Sequence, residues 1–175
     1  MPRIDHPAHR RVRDAAHRNG VEIEIVTFPE STHTASDAAR AVGAELGQIV
    51  KSLVFAAPHE GGALEPVIAL IGGADRVDVA RLGACVGEPL LRRASAREAD
   101  ELTGFTIGGI PPFGYDRPVR VVMDPALDAY PVVWAAAGTP TAVFAIAPDT
   151  LRTLADAAVA PIAEERAPEG QVADG

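Results

Sequence analysis

The chain has 175 residues, 47% of them hydrophobic and 23% charged, which excludes a disordered tail and leaves room for one domain with a real core. Sixteen Lys+Arg against 24 Asp+Glu give a formal charge of -8, which argues against a nonspecific duplex-DNA binder, since that needs a basic face. The single cysteine, Cys85, excludes an intrachain disulfide framework and a Cys-rich zinc site, and no apolar run reaches the roughly 18 residues that cross a bilayer.

The first segment, Met1 to Asn19, is polar and rich in His and Arg, without a signal peptide's apolar core, so a cytoplasmic location is expected. His6 to Asn19 reads as a helix with Val12, Ala15 and Ala16 as its apolar stripe and Asn19-Gly20 as its stop. Val21 to Phe28 alternates at period two, a half-buried strand. Thr34 and Asp37 make an acidic capping-box variant for a helix from Ala35 to Val42 that ends at Gly43. A short turn covers Glu45 to Gln48. Ile49 to Ala57 is an almost continuously apolar strand, so it is expected to be covered on both faces. Pro66 to Ile71 is a second buried strand, and the two read as a hairpin.

Asp78 can cap a helix from Val79 to Val86, and Pro89 to Arg93 reads as a short strand. Ser95 and Glu98 form a capping box for a helix that ends at Thr103-Gly104. Phe105 to Gly114 is irregular. A strand follows at Val119 to Asp124, then a hairpin from Val132 to Ala147, then a helix from Thr150 to Ala157 capped by Asp149. There is no repeat and no linker long enough to separate a second domain. The expectation is one domain over residues 1–163 and a flexible acidic tail over 164–175. Strands dominate the middle and the βαβα alternation of a doubly wound fold is missing. An α+β fold is therefore expected, with a mixed or antiparallel sheet, curled toward a barrel and flanked by helices.

All but one of the 16 basic residues are Arg; the sole lysine is Lys51. A GC-rich genome depresses lysine everywhere, so composition alone does not choose between a chance survivor and a site that needs a compact ammonium. Position does more. Lys51 lies inside an apolar strand, where burying an ammonium is costly unless it is paired or opens into a wet cleft. The structural alternative is a strand-end lysine that snorkels to water. The arginines group as Arg10, Arg11, Arg13 and Arg18, and as Arg92, Arg93 and Arg97.

The segment from Gly108 to Gly114 carries three glycines and two prolines, a loop that can bring backbone amides to a ligand or simply be a rigid surface loop. No Gly-Lys-Ser/Thr follows it, so it is not a P-loop. The five histidines show no zinc spacing, and no metal or cofactor is expected. His6, His9 and His17 are expected on an exposed helix face, and His33 near a cleft. Ser52 alternates away from Lys51, which argues against a Ser–Lys nucleophile pair. Cys85 reads as a small buried hydrophobe.

Three segments in this order carry a resemblance: Thr34 to Gly43, Gly47-Gln-Ile-Val-Lys51-Ser-Leu-Val-Phe55, and Thr103-Gly-Phe-Thr-Ile-Gly-Gly-Ile-Pro-Pro-Phe-Gly114. Together they resemble the YbaK/EbsC family of aminoacyl-tRNA editing domains, related to the insertion domain of prolyl-tRNA synthetase. The likeness runs from about Val12 to about Ile162. It implies a barrel-like mixed sheet surrounded by helices. It also implies a trans-editing deacylase that hydrolyses the ester of a mischarged tRNA, of the Cys-tRNA(Pro) or Ala-tRNA(Pro) type, without a protein nucleophile. Lys51 then holds the substrate end, and the loop of Gly108, Gly109 and Pro112 supports the ester carbonyl. Phe28, His33, Phe113, Gly138 and Thr141 are the analogous pocket positions. The implied partner is the acceptor end of a mischarged tRNA, with prolyl-tRNA synthetase a candidate, no DNA and no membrane, and a monomer as the default.

The chain departs from the family at the specificity wall. Where cysteine-removing members carry Ser-Gly-Gly, this chain has Ala136-Ala137-Gly138 and then Val143, and Thr141 stands where some alanine-removing relatives place a histidine. The wall is thus expected to be apolar. Two further readings remain: a non-catalytic module binding a ligand or tRNA end on the same fold, and a small hydrolase of another activated ester.

Overall fold

A computed structural model describes residues 6–29 and 34–165. Its helices are α1 (Pro7–Arg18), α2 (Ala35–Val42), α3 (Val79–Val86), α4 (Ala96–Thr103) and α5 (Pro148–Ala155). Its strands are β1 (Ile25–Thr27), β2 (Ile49–Pro58), β3 (Leu64–Gly72), β4 (Arg92–Arg93), β5 (Arg120–Met123), β6 (Val133–Ala136), β7 (Ala142–Ile146) and β8 (Ala158–Val159). They form one mixed sheet in the order β1-β7-β6-β2-β3-β5-β8, with β4 paired to β2 off this path. The β2–β3 and β6–β7 pairs are antiparallel hairpins, while β6 joins β2, β5 joins β3 and β8 joins β5 in parallel.

The caps explain where the helices start. The His6 Nδ1 accepts from the Ala8 amide at 3.0 Å and Pro7 takes the first helical position, where no N–H is needed. Thr34 accepts from the Asp37 amide, and Ser95 and Glu98 complete a reciprocal capping box. At α5 the expectation needs correction. The cap is Ala147 with Pro148 at the first position, and Asp149 lies inside the first turn, its Oδ1 accepting from the Thr150 amide at 2.7 Å. Proline's fixed φ outranks the acidic cap here.

The two-sided burial of β2 holds. Val50, Val54 and Ala56 enter a core with Val12, Leu102, Phe113 and Phe144, while Phe55 and Ala57 enter a second with Leu82, Leu91, Val122 and Ile162. Two expectations fail on burial. His9 is not on an exposed face; it is 7% exposed, one turn before Val12 on the stripe that enters the core. Cys85 is exposed, because Leu82 and Gly83 take the inward face of α3. The strand expected at 21–28 shortens to β1, and the one expected at 89–93 to β4. The short β8 was not foreseen. It is secured by Asp124, whose buried Oδ2 accepts from the Ile162 and Ala163 amides at 3.0 and 2.9 Å. At the start of the expected tail, the Glu164 amide donates to the Arg76 carbonyl and Glu165 pairs with Arg81. Residues 166–175 lie outside the described residues.

Candidate active site

The cleft arises from uneven pairing of β2. One edge is paired along its length with β3. On the other edge β6 covers only Ile49 and Val50, and β4 only Phe55 and Ala56. Between them β2 lacks a strand partner, and a cleft of about 210 Å³ opens there. That is small beside the clefts of about 300–1,000 Å³ that hold drug-sized ligands. The Ala94 amide takes the Val54 carbonyl at 3.0 Å. Alternate residues of a ladder point their backbone groups the same way, so Ser52 turns its N–H and C=O toward the gap. Its Oγ is buried and makes no hydrogen bond.

Lys51 borders the cleft. Its Nζ donates to the Asp75 carbonyl oxygen. Burial lowers the pKa of this ammonium; the Asp75 carboxylate opposes the shift, and the nearby Arg93 and Arg76 charges add to it. Arg93 also borders the cleft, with its guanidinium 5.7 Å from the centre of the Phe55 ring. Lys51 and Arg93 are thus the cations that line a largely apolar hollow, with Arg76 and the Asp75 carboxylate near Lys51.

Gly108 also lines the hollow, in a left-handed conformation with φ +98° that a side chain would strain. Gly109 sits behind the wall. A Cβ there would lie 2.5 Å from the Thr139 Cα, so only glycine permits this approach. The Gly109 amide already donates to the Thr106 carbonyl at 3.0 Å, which leaves Gly108 as the loop glycine that can present an amide to the cleft. Pro112 and Phe113 are buried beneath the loop, Phe113 edge-on to Phe144 at 5.6 Å. Tyr115 fastens the loop by donating its hydroxyl to the Pro111 carbonyl, and burial pushes the pKa of that hydroxyl up, so it remains a donor.

The structure thus gathers Lys51, Gly108, Ala136 and Val143 around the cleft, while Phe28, Gly109, Pro112, Phe113, Gly138 and Thr141 stand outside its lining. The Phe28 amide donates to the Thr141 carbonyl at 2.8 Å, and Gly138 packs on Ala8. Ala137 is turned into the core. His33 lies outside the described residues. Arg93, Ala38, Trp134, Ile107 and Thr139 also line the cleft and were not singled out for it from the sequence. Arg93 had a signal, its place in a basic group; the others come to the cleft only through long-range pairing. Among the described residues the lining holds no carboxylate, imidazole or thiol.

One His/Glu cluster lies elsewhere: His59, Glu65 and Glu88 bring ligand-type atoms within 4.8 Å of one another. Arg120 approaches both carboxylates, Glu65 at 3.3 Å and Glu88 at 3.1 Å, so the cluster is already part of an ion-pair network.

This geometry, a lysine and a loop glycine lining one small, largely apolar hollow, is accompanied by a family match. The model of the aminoacyl-tRNA editing domain matches residues 29–154, and the chain belongs to that family. The chain is similar to the multifunctional Ser/Thr-tRNA deacylase ProXp-y of Escherichia coli, 30% identical over 119 residues that cover 68% of this chain and 70% of that one. It is also similar to a proline–tRNA ligase of Limosilactobacillus fermentum, 35% identical over 92 residues. That match covers 53% of this chain and only 16% of the ligase. A solved structure of a candidate trans-editing enzyme for prolyl-tRNA synthetase superposes with a TM-score of 0.82 at 45% identity, covering 91% of this chain and 99% of the other.

Proposed function

We propose that this chain is a trans-editing deacylase that hydrolyses the ester between a small, wrongly attached amino acid and the 3′ end of tRNA. The observation that carries the reading is the cleft itself: Lys51, Arg93 and Gly108 line one small, largely apolar hollow. Ala38, Ala136 and Val143 suit a small side chain such as that of alanine, cysteine, serine or threonine. Lys51 and Arg93 suit a terminal phosphate or ribose at the mouth.

The described lining holds no carboxylate, imidazole or thiol to act as general base or nucleophile, and this reading needs none. The ester carbonyl would accept from the Gly108 amide, which stabilises the negative oxygen formed when water adds. The C–O bond to the ribose then breaks and the ribose oxygen takes a proton. A ribose hydroxyl of the substrate can orient the attacking water, so that positioning supplies much of the rate.

The reading puts the protein with its tRNA in the cytoplasm and takes a monomer as its working state, the latter because the sheet path ends in the short edges β1 and β8, of three and two residues. The test is a panel of alanyl-, cysteinyl-, seryl- and threonyl-tRNA incubated with the protein and with its Lys51→Ala variant. Lys51-dependent loss of one ester is the expected result. Ligand binding without ester loss on any member would favour the non-catalytic module of the same fold.

A further inference from the structure

We propose that His9 is a positioning residue for this site, acting through the hydroxyl of Thr139. The inference rests on the deacylase reading above. His9 lies on α1, ahead of the residues that match the family model, and makes no part of the cleft lining. Its Nε2 is 2.8 Å from the Thr139 Oγ1, and that oxygen is 3.3 Å from the Thr141 Oγ1. Thr139 is a lining residue.

The contact reaches both walls. The Thr139 backbone is the surface against which Gly109 closes, with 2.5 Å between its Cα and the place of a Cβ on Gly109. Gly138, one residue earlier, rests on Ala8, whose carbonyl oxygen would stand 2.8 Å from a Cβ at that glycine. Farther along α1, Arg11 donates to the Gly104 carbonyl at 3.1 Å and lies 4.2 Å from the centre of the Phe105 ring, at the foot of the glycine loop. α1 therefore holds the turn at 138–141 through Ala8 and His9, and the foot of the loop that carries Gly108 through Arg11.

Chemistry gives His9 a more specific part than packing. A threonine hydroxyl has one proton and two lone pairs on a free rotor. A neutral imidazole nitrogen at 2.8 Å either donates to that oxygen or accepts from it, and either choice fixes the rotor. The rotor decides whether Thr139 shows a donor or an acceptor to the cleft. An apolar residue could fill the same space and would leave the hydroxyl only the longer contact to Thr141.

The test uses His9→Leu, His9→Gln, Thr139→Val and the double variant His9→Leu/Thr139→Val in the full chain. Deacylation is followed on the four esters, and the amide NMR shifts of Gly108, Gly109 and Thr141 are read alongside thermal unfolding. His9→Leu is expected to lower kcat by about tenfold with KM nearly unchanged, since small displacements of a positioned site cost this much or more. His9→Gln should recover most of the loss. Thr139→Val should reproduce it, and the double variant should be no worse than either single one. The Gly108 and Gly109 amides should move in His9→Leu and return in His9→Gln. The proposal is overturned if the two losses simply multiply, or if His9→Leu lowers the melting temperature while kcat and the loop shifts stay put. If the wild type clears none of the esters, the deacylase reading fails, and the loop shifts still decide whether His9 positions the wall.

Discussion

Lys51 is costly where it stands. Its folded pKa lies below the ordinary 10.5, chiefly because burial disfavours the charge. Between the folded and the ordinary pKa the unfolded chain binds the extra proton, so stability from this group rises with pH through that window and is lowest below it. At neutral pH the ammonium is therefore a burden on folding, offset in part by its bond to the Asp75 carbonyl. Lys51→Met is expected to leave the melting temperature unchanged or a few degrees higher. The same change should lower kcat/KM by about 10–100-fold, the worth of one charge-assisted contact of about 1.5–3 kcal/mol. Thermal unfolding and ester loss on the same preparation check both halves. A collapse of stability would show that the lysine serves the fold. Gly109 sets the opposite limit. Gly109→Ala puts a methyl group against the Thr139 backbone, which cannot swing aside as a flexible side chain could. About 1–3 kcal/mol of destabilisation is expected, with a fall in kcat as the two walls part. A calorimetric scan paired with single-turnover deacylation reads both.

At the scale of elements, α4 shows how a cap became a pH-sensitive staple. Arg92 of β4 donates to both Glu98 oxygens at 2.8 Å, and the Ser95 amide donates to one of them at 2.9 Å. These bonds, Arg92 first, hold the Glu98 carboxyl down at about 2 against an ordinary 4.5. A depressed carboxyl stabilises the fold above its ordinary pKa and loses that contribution as pH falls from about 4.5 to about 2. The urea midpoint of the wild type should therefore exceed that of Glu98→Gln at pH 6, and the gap should close over that interval. A gap independent of pH would mean that the carboxylate charge is idle.

The Ser95–Glu98 box was legible because capping is local: four residues state it. So were β2, β3 and the β6–β7 hairpin, whose patterns span single segments. Lys51 and Gly108 were found because one is compositionally unique and the other lies in a rare loop. What could not be read is what depends on partners far along the chain. The cleft exists because β4 and β6 each cover one end of β2, a fact of pairing between residues 36 to 85 positions apart. His9 was misplaced for the opposite reason. It stands three residues before Val12, on the buried stripe, but a histidine in a polar, arginine-rich helix reads as solvated until Thr139 is seen beside it.

For the whole molecule, the question is how a protein of net charge -8 holds a polyanion. A broad grip on the acceptor stem would need a basic face. Several arginines that a basic face would need are paired with carboxylates instead: Arg92 with Glu98, Arg97 with Glu101, Arg120 with Glu88 and Arg81 with Glu165. The cations that line the cleft are Lys51 and Arg93. On the proposed function, such an arrangement would hold the end of a single strand rather than the stem. Each single-strand phosphate neutralised contributes about 0.7 to the slope of log affinity against log salt, so two contacts predict a slope of about -1.4. The measurement is the affinity for a nonhydrolysable aminoacyl-tRNA mimic from 50 to 300 mM KCl. Arg93→Gln should reduce both the affinity and the slope, the latter by about 0.7. A wild-type slope of -5 or steeper would require contacts along the stem that the charge distribution does not provide. A slope near zero would mean that the amino acid and the terminal base carry the binding, with the cations left to orient the ester rather than to hold the tRNA.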